Sequence, residues 1–116
     1  YGDPVFDLAF CLNHLLLKCL WTRSATNQLL RSFDALAEAY LTVAAWDDRV
    51  ALERRTARLL PGLFLARIDG KSPVEYITED ADQALVRHVA RELLLQPVAT
   101  INDVRKTWAE ALERTR

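Results

Sequence analysis

The 116 residues carry a formal charge of −1, from 15 basic and 16 acidic side chains, which leaves no electrostatic footprint for nucleic acid or an anionic membrane surface. A hydrophobic fraction of 51% is ample for one core, and the length limits the chain to a single domain or a piece of one. Three glycines provide no GxGxxG or GxxxxGK phosphate loop, and two cysteines with two histidines provide no zinc-like set.

The first predicted helix runs from Val5 to Trp21. Asp3 is placed to cap it, and Pro4 suits the first helical position, where a missing N–H costs nothing. Within it only Asp7, Asn13, His14 and Lys18 are polar. Asp7, His14 and Lys18 are spaced by seven and four, so they share one narrow stripe. The rest of the circumference is apolar, which predicts a helix buried on most sides with other helices packed around it. A membrane span is disfavoured by the Asn13-His14 pair at mid-helix and by charges near both ends. A signal peptide is disfavoured by the lack of a basic n-region and of a cleavage site. Cys11 and Cys19 lie two turns apart, about 12 Å, too far for a disulfide. They read as reduced core thiols, which suits a cytoplasmic protein.

A second helix is predicted from Ala25 to Ala45, with Ser24 as its cap. Leu29, Leu30, Phe33, Leu36, Ala37, Tyr40, Leu41 and Ala44 form its inner stripe, while Arg31, Asp34 and Glu38 face outward. Asp47 or Asp48 caps a third helix starting near Arg49. Its Arg49, Arg54, Arg55 and Arg58, interleaved with Glu53, read as a solvated face. Pro61-Gly62 predicts a kink or restart, and Gly70 a stop. Ser72-Pro73 with Glu75 has the form of a capping box and predicts a short helix. Thr78 is the predicted start of another, with Glu79, Asp80 and Asp82 in its first turn and Ala81, Leu85, Val89 and Leu93 inside. Pro97 ends it. Thr100 and Asp103 cap a last helix with Ile101, Val104, Trp108, Ala111 and Leu112 on one side and Arg114 and Arg116 in its final turn. No stretch alternates with period two. The class is all-α, five or six helices around the apolar N-terminal one.

The opening segment Gly2-Asp3-Pro4-x-x-Asp7-Leu8-Ala9 resembles the stretch that follows the metal-binding Asp in the aminoglycoside phosphotransferase family, small-molecule relatives of protein kinases. Ala66-Arg67-Ile68-Asp69-Gly70-Lys71-Ser72-Pro73-Val74-Glu75-Tyr76 is similar to a segment of bacterial members. The two lie in the family's order. The resemblance implies the helical C-terminal lobe of an ATP-dependent small-molecule kinase, with the catalytic loop, the Mg-binding Asp and the nucleotide-binding lobe all upstream. The absence of any methionine agrees with a C-terminal piece of something longer. No catalytic residue, metal ligand or cofactor site is expected in this chain itself. ATP and Mg belong to the parent protein, and the partners are the remainder of that kinase and a small hydroxylated acceptor.

Under the resemblance, Asp7 accepts hydrogen bonds from the catalytic loop, as a carboxylate on a buried helix needs partners. Asp3 is mainly a cap, with a second role in holding that loop. His14 and Asn13 read from the residues alone as satisfied core polar groups, and from the resemblance as an acceptor-site wall. Arg67, Asp69, Lys71 and Glu75 crowd one corner, where they either pair among themselves or line the acceptor pocket. The alternative from another class is a free-standing helical interaction module with every apolar face covered. The lobe reading instead predicts a bare apolar patch near the start of the first helix, a feature that drives self-association.

Overall fold

A computed structural model describes residues 4–43, 48–70 and 75–115. The described residues form five α-helices and contain no strand. Helix α1 (Pro4–Trp21) begins at the proline and carries Asp7 in its first turn and Lys18 in its last, both favourable to the helix dipole. Val5, Leu8, Ala9, Leu12, Leu16, Leu17, Cys19 and Leu20 are buried at helical spacing. The opposite stripe is open. Phe6, Asp7, Cys11, Lys18 and Trp21 are exposed.

That stripe corrects two expectations. Asp7 is not a buried carboxylate, and only Cys19 is a core thiol. The cause is geometric. The steps of four and three that align Asp7, His14 and Lys18 also bring Cys11 onto their face. By length and apolarity α1 meets the requirement for crossing a membrane, while half of it is buried in the bundle.

A 3₁₀ turn at Arg23–Ala25 precedes α2 (Thr26–Val43). Ser24 therefore lies inside the turn rather than at the cap, and the Thr26 hydroxyl donates to the Arg23 carbonyl at 2.7 Å. Leu30, Phe33, Ala37 and Leu41 point inward as predicted, whereas Leu36, assigned to the same inner stripe, is exposed. Ala44, Ala45 and Asp47 lie outside the described residues. Helix α3 (Arg49–Asp69) is capped by Asp48, whose Oδ1 accepts from the Val50 N–H at 3.0 Å.

Helix α3 runs through Pro61 without restarting. The proline removes the donor for the Ala57 carbonyl at a cost of about 3 kcal/mol. Leu60 and Phe64 beside it are fully buried, and each such burial contributes about 1.5–3 kcal/mol. Packing thus outweighs the local penalty. Gly70 ends the helix, its N–H meeting the Ala66 carbonyl at 3.0 Å. Its φ of −83° suits any residue, but a Cβ there would run into that carbonyl.

Residues 71–74, with most of the predicted capping box, lie outside the described residues. Glu75 and Tyr76 form a turn and 77–79 are irregular, so the predicted short helix does not extend there. Helix α4 (Asp80–Leu95) starts after Glu79 rather than Thr78. The side chain of Gln83 donates to the Ile77 carbonyl at 3.1 Å, holding the preceding residues off the helix axis. Leu85, Val86, Val89, Ala90 and Leu93 are buried; Ala81 is exposed.

Helix α5 (Ile101–Arg114) is held at both ends. Thr100 Oγ1 accepts from the Asp103 N–H at 3.1 Å, and Glu53 of α3 accepts from the Ile101 N–H at 3.2 Å. At the far end Arg23 reaches the Leu112 carbonyl at 3.5 Å and the Thr115 hydroxyl at 3.3 Å. Trp108, without exposed surface, lies 5.3 Å from the Phe64 ring. Helix α3 packs on α1, α4 and α5, while α1 packs chiefly on α2 and α3. The centre is shared by α1 and α3.

Candidate functional site

The open stripe of α1 faces the end of α3 and the turn that follows it. Phe10 and His14, one turn apart, meet edge to face at 4.8 Å. Phe6 stacks behind Phe10 at 6.3 Å. The Tyr76 hydroxyl lies 3.3 Å from His14 Nδ1, the donor being set by the imidazole tautomer. Trp21 stacks on Tyr76 at 5.4 Å. Five rings therefore line the stripe from its first turn to its last. Arg67, in the last turn of α3, places its guanidinium 5.4 Å above the Phe10 ring, a cation–π contact.

The electrostatics are one-sided. Burial, then Arg67 and then Lys18 hold the His14 imidazole below its ordinary range. Burial pushes the Tyr76 phenol up, with Arg67 opposing. At neutral pH the pair is a neutral imidazole and a protonated phenol. Arg67 is half-buried, and its buried Nε has no hydrogen-bond partner.

His14 and Arg67 are thus brought to one face. Asn13 is not on it. It points inward, fully buried, and neither amide atom has a hydrogen-bond partner. Asp69 is also elsewhere. Arg87 of α4 grips its carboxylate through Nε and Nη2 at 2.7–3.1 Å, and those hydrogen bonds hold the Asp69 carboxyl below its usual range. Asp69 serves the α3–α4 junction, away from the acceptor wall that the resemblance implies. Asp7 lies exposed at the Phe6 end of the stripe. Asp3 and Lys71 lie outside the described residues. Sequence reasoning did not single out Phe10 or Trp21, and it gave Lys18 and Tyr76 no role at this face. The spacing of four between Phe10 and His14 was the available signal.

Beside Trp21 and Tyr76 a groove of about 360 Å³ is lined by Leu20, Glu75, Thr78, Glu79 and Asp82. The described residues contain no group of three His, Cys, Asp or Glu side chains able to hold a metal ion. The ring-lined face carries an imidazole, a phenol and a guanidinium, with the exposed thiol of Cys11 on the same stripe of α1. No protein-family model, curated protein or solved structure matches the chain.

Proposed function

We propose that the chain is the C-terminal helical lobe of a cytoplasmic, ATP-dependent small-molecule phosphotransferase, and that its α1–α3 face forms one wall of the acceptor site. One observation carries the reading. Helix α1, which begins at Pro4, meets the Ala66–Tyr76 segment through Phe10 with Arg67 and His14 with Tyr76. These are the two segments on which the resemblance rests, and they are far apart in sequence. Asp7 fits the supporting role because its carboxylate is exposed in the first turn, open to donors from a loop outside this chain. Phe6 beside it is 45% exposed, which fits the bare patch expected where the remainder of a kinase docks.

The second reading, a helical interaction or self-association module, also draws on exposed Phe6 and on Trp21, 63% exposed. It gives no reason for the His14–Tyr76 and Phe10–Arg67 contacts. The deciding measurement is the intact mass of the native protein in its source cells, followed by assay of the full-length protein for ATP-dependent phosphorylation of hydroxylated small molecules. The lobe reading expects a mass well above that of this chain. It also expects Asp7→Asn to lower kcat by roughly tenfold to a hundredfold, through misplacement of the catalytic loop. A native protein of this mass plus an initiator methionine, without kinase activity, overturns it.

A further inference from the structure

We propose that the open stripe of α1 is a homodimer interface, on which two copies of this chain pair antiparallel so that Asp7 of each meets Lys18 of the other. The inference rests on the reading above only in explaining why the stripe is bare, since the lobe reading expects a self-associating face where the remainder of the kinase is absent.

The stripe is continuous and uncovered. Asp7, Cys11, Lys18 and Trp21 are exposed, and His14 among them is half-buried. Alternate steps of four and three keep these residues on one face of α1 over about four turns. Asp7 and Lys18 stand at opposite ends of the stripe, roughly 16 Å apart along the axis, too far to pair with each other. Among the described residues neither forms an ion pair elsewhere. Phe10, His14 and Trp21 lie along one edge of the stripe, and Trp21 keeps 63% of its surface in water.

Charge decides the occupant and its direction. The stripe is acidic at its start and basic at its end, so it complements itself only when reversed. A parallel second copy sets Asp7 against Asp7 and Lys18 against Lys18, and like charges in contact are costly. An antiparallel copy makes both contacts attractive about one two-fold axis, the isologous arrangement of most homodimers. Matching Asp7 to Lys18 also fixes the register. The axis falls midway between Cys11 and His14, so Cys11 of each copy faces His14 of the other. The rings of Phe10, His14 and Trp21 from both copies then share one edge of the seam, where burying their exposed surface adds to the attraction. The two Cys11 residues are offset by about 4.5 Å along the axes, across helices about 8–10 Å apart. A seam on one helix about 27 Å long is a narrow contact, so the dimer is weak and reversible.

The test is sedimentation of the 116-residue chain over a concentration series, with cross-linking by a short bismaleimide as the second readout. Cys11 is the exposed thiol and Cys19 the buried one, so cross-linking reports on the seam. The expected result is a concentration-dependent dimer, weakened by salt, whose cross-link is lost in Cys11→Ser. Asp7→Lys and Lys18→Glu should each weaken pairing by roughly tenfold or more. The double variant should restore it, as should mixing the two single variants. Both side chains are exposed, so the variants keep the fold, and recovery in the double variant checks this directly. A chain that is monomeric at every concentration overturns the proposal. A dimer indifferent to the single reversals, or a double variant that fails to recover, overturns the antiparallel register. Self-association without the Cys11 cross-link places the contact on another face, such as exposed Leu94 and Leu95, and overturns it too. None of these readouts uses kinase activity. A failed dimer therefore leaves the lobe reading to its own assay, and a parent protein that proves not to be a kinase leaves the pairing standing.

Discussion

His14 is the residue through which the α1–α3 face responds to pH. In the unfolded chain its imidazole titrates near the ordinary value of about 6.5. In the folded chain burial, Arg67 and Lys18 lower that value. Between the two, the unfolded chain binds more protons, so stability rises with pH. The contribution is complete above about pH 6.5 and is lost as pH falls through the folded value. Thermal melts between about pH 7.5 and about pH 5.5 should show a falling Tm that is shallower in His14→Gln; equal slopes would remove His14 as the cause. Asn13 poses the opposite case, a buried amide without partners. Replacing it by an apolar side chain of similar volume removes a desolvation cost of about 1–3 kcal/mol. Asn13→Leu should raise the urea midpoint, and a lowered midpoint would show that the amide is satisfied after all.

At the scale of elements, the sequence was most readable where short spacings decide. The Thr100 to Asp103 cap and the Asp48 cap stand where their residue types and positions placed them. Readings failed where a distant side chain decides. Arg23 reaches across to α5 and sits within the 3₁₀ turn that displaces the start of α2. Gln83 holds Ile77 and sets α4 back from Thr78. Pro61 was read as a kink or restart because its penalty is local; the helix does not restart there, since the burial of Leu60 and Phe64 is tertiary. The doubly held α5 gives a direct check. Thr100→Ala should cost about 1 kcal/mol, seen as a lower urea midpoint at unchanged m. No change would leave Glu53 as the sufficient cap.

For the whole molecule, periodicity reports which face of a helix turns inward but not which neighbour it meets. The stripe of Asp7, His14 and Lys18 was therefore legible, while its meeting with Arg67 and Tyr76 was not. The same limit made α1 look encircled when its packing partners are chiefly α2 and α3. That pairing has a consequence for synthesis. The buried face of α1 lacks its α3 neighbour until α2 and most of α3 have been made. At about 5–20 residues per second, the delay is roughly 2–10 s. Throughout it the nascent chain is a two-helix hairpin whose most apolar member has only one of its two main neighbours. Chaperone capture and misassembly would concentrate in that interval, well before the Arg23–Thr115 clasp can close the finished bundle.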